Sequence, residues 1–170
     1  DIFLGTKLGM GIRFNEAQVR DTGRASVGVK GISLDDNDEV IGVEVLIPGL
    51  ELLAVTNRGY GKRTDINEFR SQGRAGKGLI TMKLTPKNGD VIGVRQMRND
   101  QDIMIITEAG RMIRIPGRSV SVIGRNTQGV RLINLEENEK VASFSPVEET
   151  TADEIPTEEI PPIDAPPELN

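Results

Sequence analysis

Short apolar runs separated by turn residues divide the chain into strands, and no stretch shows the helical period of apolar positions. The pattern is clearest near residue 110. An apolar run at 103–106 is typical of a strand buried on both faces, and Glu108-Ala109-Gly110 follows it as a hairpin turn. Further strands are predicted at 112–115, 130–135 and 141–144. Four antiparallel strands in ~50 residues is the size of a propeller blade, so the pattern favours an all-β fold.

The same unit occurs three times, with a period of 50–51 residues. Each copy carries a Gly-Arg pair at the same position: Gly23-Arg24, Gly73-Arg74 and Gly124-Arg125. A fixed period of this size indicates a unit that buries its core against its neighbours. We therefore predict three four-stranded antiparallel blades of a β-propeller, at residues 1–50, 51–101 and 102–147.

Three blades are too few for a closed propeller, which typically uses about 4–8. The chain also begins inside a predicted strand, because Asp1-Ile2-Phe3 aligns with Asp102-Ile103-Met104. We therefore expect a piece of a longer protein. Its open blade edges are expected to allow self-association, because unpaired edges invite pairing with another chain.

Composition excludes several classes of site. The chain has no cysteine and no histidine, which removes disulfides, thiolate or imidazole metal ligands and the usual nucleophile–base pairs. No catalytic and no metal-binding residues are predicted. No apolar stretch approaches the ~18 residues of a membrane span, so a soluble protein with no membrane partner is expected.

The net charge of −5 conceals two regions of opposite charge. Residues 148–170 carry eight acids, five prolines and no basic residue, which predicts a disordered acidic tail. Residues 1–147 carry all 21 basic residues and a net charge of +3. The tail is expected either to compete with a polyanion for the basic body or to serve solubility alone.

Within each repeat, the basic residues concentrate in strand two, the long Gly-Arg loop and strand three. In the third copy, residues 109–135 carry five arginines and no acid: Arg111, Arg114, Arg118, Arg125 and Arg131. Repetition places one basic patch per blade along a rim, which favours a polyanion partner because lysine and arginine neutralise phosphates and release counterions. A solvated polar surface is the alternative interpretation.

Two other features of the sequence disfavour a nucleotide-binding site and a site for single-stranded nucleic acid. The segment 73–78 resembles a phosphate loop, but Ser71 replaces the first glycine and Gly78 follows Lys77. With one tyrosine and no tryptophan, a base-stacking platform for single strands is disfavoured. Duplex backbone is the favoured ligand.

Two nine-residue strings identify a family: Thr56-Asn57-Arg58-Gly59-Tyr60-Gly61-Lys62-Arg63-Thr64 and Val122-Ile123-Gly124-Arg125-Asn126-Thr127-Gln128-Gly129-Val130. Over residues 1–147 the chain resembles the C-terminal domain of bacterial DNA gyrase A. That resemblance implies a six-bladed β-pinwheel, in which adjacent blades exchange a strand and a basic rim wraps duplex DNA in a positive sense. The whole enzyme uses this wrap for ATP-dependent negative supercoiling. This chain is similar to the last three blades.

The family's heptapeptide Q-R-R-G-G-K-G, expected in the first blade, is absent, and residues 72–78 are its nearest counterpart. The resemblance implies a non-catalytic DNA-binding part of a type IIA topoisomerase, with ATP and Mg²⁺ bound elsewhere in the parent and no cofactor in this chain. Expected partners are double-stranded DNA, the rest of gyrase A and the separate gyrase B chain, in the bacterial cytoplasm at the nucleoid. The implied DNA-binding residues are Arg24, Arg58, Lys62, Arg63, Arg74, Lys77, Arg111, Arg114, Arg118, Arg125 and Arg131. The alternatives are the C-terminal domain of the corresponding topoisomerase IV chain and a protein-binding propeller.

Overall fold

A computed structural model describes residues 1–148. Apart from Glu148, the predicted acidic tail lies outside this part of the chain. The described residues form strands joined by turns and three short 3₁₀ turns, at Glu16–Gln18, Ile66–Glu68 and Gly117–Ser119. The strands are β1 (Ile2–Thr6), β2 (Met10–Phe14), β3 (Val40–Val45), β4 (Glu51–Thr56), β5 (Tyr60–Asp65), β6 (Leu79–Ile80), β7 (Val91–Met97), β8 (Asp102–Thr107), β9 (Met112–Pro116), β10 (Val130–Arg131) and β11 (Val141–Val147).

The strands form three antiparallel sheets, in the orders β3-β1-β2-β6, β10-β5-β4-β7 and β11-β8-β9. This confirms the predicted all-β fold and its three blades. Each of the first two sheets takes its outermost strand from the following repeat, because Ile80 pairs with Met10 and Arg131 pairs with Tyr60. The strand exchange implied by the family resemblance is therefore present.

The exchange changes the predicted strand content of a blade. The sequence pattern placed strand three in the sheet of its own repeat, whereas β6 and β10 lie in the sheet of the preceding repeat. The third sheet consequently has three strands within residues 1–148, instead of the predicted four. Strand three is also short, covering residues 130–131 of the predicted 130–135.

Glycine makes the exchange possible at the residue before each donated strand. Gly78 and Gly129 have φ of +78° and +76°, a region that side chains disfavour. A Cβ at Gly78 would lie 2.3 Å from the Gly11 carbonyl oxygen, and one at Gly129 would lie 2.7 Å from that of Gly61. Their counterpart Gly28 has no neighbouring atom within 4 Å, because its segment pairs with no strand among the described residues.

The cores lie between neighbouring sheets. One cluster joins the first and second repeats and includes an edge-to-face contact of Phe3 with Phe69. A second cluster joins the second and third repeats around Ile103 and Ile105. Strand β4 serves both, because Leu52 belongs to the first cluster and its neighbour Leu53 to the second. In β8 the predicted burial on both faces is wrong in part, because Ile103 and Ile105 are buried while Met104 and Ile106 are half-buried. The two clusters confirm that each repeat buries its core against the next.

None of the helical segments in residues 1–148 has the length and apolar character that crossing a membrane requires.

Candidate nucleic-acid interface

The candidate interface is built from three equivalent loops, which we call the first (23–28), second (73–78) and third (124–129) Gly-Arg loops. The second loop is held by the first repeat. Gln18, at the end of a 3₁₀ turn, accepts a hydrogen bond from the Arg74 backbone N–H at 2.8 Å. The Arg74 guanidinium donates to the backbone carbonyls of Gln18 and Lys30, both at 3.0 Å. These bonds fix the direction of the side chain and leave further guanidinium N–H groups available.

The third loop repeats this arrangement one blade further on. Glu68 is the counterpart of Gln18, and its carboxylate accepts from the Arg125 backbone N–H at 2.9 Å. The Arg125 guanidinium donates to the carbonyl of Ile80, the counterpart of Lys30, at 3.5 Å. The same contact is therefore made twice, each time between a Gly-Arg loop and the repeat before it. Neither the local sequence pattern nor the family resemblance predicted it.

The first loop makes only internal contacts among the described residues. Ser26 donates to the Gly23 carbonyl through its backbone N–H (3.1 Å) and its hydroxyl (2.7 Å). Residues 20–28 are exposed, and Arg24 has no side-chain partner within residues 1–148. The same Gly-Arg pair therefore occurs in a loop without external support.

Lys62 requires a correction, because it is fully buried instead of facing a ligand. Its ammonium donates to the Gly124 carbonyl (2.7 Å), the Arg125 carbonyl (2.5 Å) and the Thr127 hydroxyl (3.1 Å). All three N–H groups are therefore used by the third loop. Burial lowers the pKa of Lys62 to about 8, with nearby Glu68 opposing and Arg125 reinforcing the shift. Lys62 positions the loop that carries Arg125.

Arg63 is also buried, so its predicted role is corrected as well: it links its own repeat to the next. Its guanidinium donates to Glu51 in its own repeat at 2.7 Å and to the Val120 carbonyl in the next at 2.9 Å. Its counterpart Arg13 behaves likewise, pairing with Asp1 at 2.8 Å and donating to carbonyls of the second repeat. Arg13 is not among the predicted residues, although its position in the register of Arg63 was an available indication.

Three other predicted residues have partners within the chain. Lys77 pairs with Asp35 at 2.7 Å, and both side chains are exposed, so the pair is weak and open to exchange with a phosphate. Arg111 pairs with the nearly buried Glu139. Arg114 pairs with Asp102 at 2.7 Å and also donates to the Glu148 carbonyl.

The remaining predicted residues are on the surface. Arg118 is exposed, and Arg58 and Arg131 are exposed beside a cavity lined also by Lys87 and Lys140. These two lysines are not among the predicted residues, because more than fifty residues separate them and only the fold brings them together. Besides the buried Lys62, eleven cations within residues 1–148 have no acidic side chain within salt-bridge distance: Arg20, Arg24, Lys30, Arg58, Arg70, Arg74, Lys83, Lys87, Arg125, Arg131 and Lys140.

A family model described as "DNA gyrase C-terminal domain, beta-propeller" matches residues 1–46, 50–96 and 101–148. The chain belongs to this family. Each match covers one of the three repeats, so the gyrase C-terminal domain family shares the period seen in the sequence.

Members of the gyrase family are similar to this chain in both sequence and fold. DNA gyrase A of Staphylococcus aureus (strain NCTC 8325) is 42% identical over 156 residues, which are 91% of this chain and 18% of that protein. A solved DNA gyrase A C-terminal domain is 27% identical with a TM-score of 0.79, covering 85% of this chain and 50% of that one. A solved C-terminal domain of DNA topoisomerase IV is 26% identical with a TM-score of 0.80, covering 86% of this chain and 46% of that one. The chain spans less than a fifth of the length of the curated relative.

The two solved domains are equally similar in shape, so the fold does not separate gyrase A from the topoisomerase IV alternative. The family model and the curated sequence relatives do, because both are gyrase.

Proposed function

We propose that these blades are a duplex-DNA-binding part of a gyrase A C-terminal domain, with the phosphate backbone lying along the Gly-Arg loops. The observation that carries the proposal is the repeated support of Arg74 and Arg125. Each is oriented by the preceding repeat through carbonyl oxygens, and neither guanidinium is neutralised by an acid in the described residues. A guanidinium held in this way loses little side-chain entropy when it meets a phosphate.

Binding of this kind is independent of base sequence. Phosphate contacts position a protein on a duplex and carry no sequence information directly. The single tyrosine is largely buried, as are Phe3, Phe14 and Phe69, so the described residues offer little aromatic surface on which unpaired bases could stack. The proposed ligand is therefore duplex backbone, and its affinity depends strongly on salt.

For the parent enzyme we propose the family's role, in which positive wrapping of DNA supports ATP-dependent negative supercoiling by gyrase A together with gyrase B. In this proposal ATP and Mg²⁺ act elsewhere in the enzyme, and the present blades catalyse no step. The family's first-blade heptapeptide is absent from this chain. We therefore expect these three blades to bind duplex DNA without completing a wrap.

The open outer edge of β9 supports a proposal of self-association. In the other two sheets this position is filled by β6 or β10, whereas β9 has no strand there among the described residues. Unpaired edges can pair with another strand. Sedimentation over a concentration series should show concentration-dependent association, and a monomer at all concentrations would contradict it.

The DNA proposal is tested by affinity for unrelated duplexes over a salt series. Arg74→Glu should weaken binding equally for all sequences and reduce the slope of log affinity against log salt by about one or more. Lys77→Glu should have a smaller effect, because Lys77 already pairs with Asp35. Arg95→Glu is the matched control, since Arg95 lies on β7 and pairs with Glu44.

Ligation of nicked circles with increasing protein then measures wrapping by its handedness. Binding without a change of linking number is expected for this chain. An unchanged salt slope in Arg74→Glu would remove the second loop from the interface.

A further inference from the structure

Tyr60 organises two cations around one ring. Its hydroxyl accepts a hydrogen bond from Arg131 at 3.0 Å, and the Arg131 guanidinium carbon lies 5.5 Å from the ring centroid. The Lys87 ammonium nitrogen lies 5.7 Å from the same centroid. These distances are within the range of cation–π attraction, so the ring holds both cations although like charges repel.

These groups line a cavity of about 570 Å³, which we call the Tyr60 cavity. Arg58 and Lys140 line it too, and none of the four cations has an acidic partner in residues 1–148. Of the two acids in the lining, Glu139 is occupied by Arg111 and by the Glu136 backbone N–H. Glu136 is the other acid, so four cations face one carboxylate without a cationic partner and the lining keeps an excess of positive charge.

We propose that the Tyr60 cavity binds phosphate groups of the duplex backbone, with Lys87 and Arg131 as the principal contacts. This inference rests on the proposed function and extends it to residues outside the Gly-Arg loops. Tyr60 lies two residues from Lys62 on the same face of β5, a separation of about 7 Å along the strand. Since Lys62 holds the third loop, the cavity and Arg125 belong to adjoining parts of one surface, as a continuous backbone requires.

The aromatic ring with its two cations occurs once in the three repeats, whereas a cavity at the equivalent place beside the first repeat is lined by Leu8, Leu84, Thr85 and Gly89. The counterparts of Tyr60 are Met10, which has no ring, and Arg111, which pairs with Glu139. A phosphate site present once breaks the equivalence of the repeats. It fixes where the duplex sits along them, because phosphate contacts set register and orientation.

A purely structural role for Tyr60 is the competing explanation, since its ring belongs to the core between the first two repeats. The test therefore changes the exposed cations and leaves the ring in place. Lys87→Gln and Arg131→Gln should each reduce the salt slope of duplex affinity by about one. Arg95→Gln, which loses the same charge from a residue paired with Glu44, should leave the slope unchanged.

The outcomes separate this inference from the proposed function. If the unmodified chain binds no duplex, the proposed function fails. If it binds and the slopes of Lys87→Gln and Arg131→Gln equal that of the unmodified chain, the cavity proposal alone is overturned.

Tyrosine fluorescence provides a second readout, because Tyr60 is the only tyrosine and the chain has no tryptophan. Inorganic polyphosphate, which does not absorb at these wavelengths, should change Tyr60 emission saturably, and Arg131→Gln should remove the change. Poly-glutamate at equal charge concentration should have little effect. A larger response to poly-glutamate would assign the cavity to an acidic peptide, and no response to either polyanion would leave the cations with a stacking role only; either result overturns the proposal.

Discussion

The first and third Gly-Arg loops have the same opening residues and very different support. The third loop accepts three hydrogen bonds from Lys62, and its Arg125 backbone N–H donates one to the Glu68 carboxylate. The first loop has only the bonds between Ser26 and Gly23. The supporting groups of the third loop all belong to the preceding repeat, and the described residues contain no repeat before the first. A Gly-Arg loop is therefore shaped by its neighbour more than by its own sequence.

The second loop is also supported by the preceding repeat, through other groups: the Ala75 backbone N–H donates to the Gly31 carbonyl, and Ser33 donates to the carbonyls of Ala75 and Gly76. Ile12 occupies the position of Lys62, so the second loop lacks an ammonium anchor and has Gln18 in place of Glu68. The three loops are thus equivalent in sequence register, whereas only the first lacks hydrogen bonds to another repeat among the described residues.

Replacing the anchor should give the largest effect. The pKa of Lys62 is lowered from 10.5 to about 8 by burial, so the unfolded chain binds more protons between those pH values. Stability should therefore rise with pH across this window, by about 3 kcal/mol from this one group. Lys62→Ile, which installs the residue of the other two repeats, should lack that rise when unfolding by urea is measured from pH 7 to 10.5.

Lys77→Met is the matched control for the anchor. The exposed pair with Asp35 raises the pKa of Lys77, so any contribution of Lys77 is present at lower pH and lost as pH rises through its folded pKa. Parallel stability curves for the unmodified chain and Lys62→Ile would contradict the account of the anchor.

The sequence predicted the strands and their period, because both depend on local patterns of apolar and turn residues. The pattern did not predict which sheet strand three joins, because the sequence of a strand does not specify the strand with which it pairs. Lys62 and Arg63 were wrongly placed among the ligand-facing residues for a related reason. Both belong to a basic stretch, but their acceptors include backbone carbonyls of the third repeat, which no composition or spacing reveals.

Charge reversal should lower DNA affinity moderately, and by different factors in the third and first loops. Arg125→Glu should weaken duplex binding about tenfold at ~0.1 M salt, because a held arginine makes a full phosphate contact. Arg24→Glu should weaken it only a few-fold, since the first loop must be ordered on binding and that entropy reduces its net contribution. Equal losses in anisotropy titrations would show that support by the preceding repeat does not matter for binding.

Substitution of Glu68, which supports the third loop, should have the smallest effect. Glu68→Gln installs the residue found at the equivalent Gln18, and its amide oxygen can still accept from the Arg125 backbone N–H. Stability should change by no more than about 0.5 kcal/mol. The pKa of Lys62 should fall further, because Glu68 raises it in the unmodified chain. An NMR titration of the Lys62 side chain measures this shift, and a rise in its pKa would contradict the assigned contact.

Hydrogen exchange of the three Gly-Arg loops, in the free chain and with duplex DNA, tests the central claim most directly. In the free chain the first loop should exchange fastest and the second and third more slowly, because protection follows hydrogen bonding and burial. With duplex DNA all three should gain protection, and the first should gain most. Equal exchange in the free loops, or tight duplex binding that protects none of them, would contradict the account.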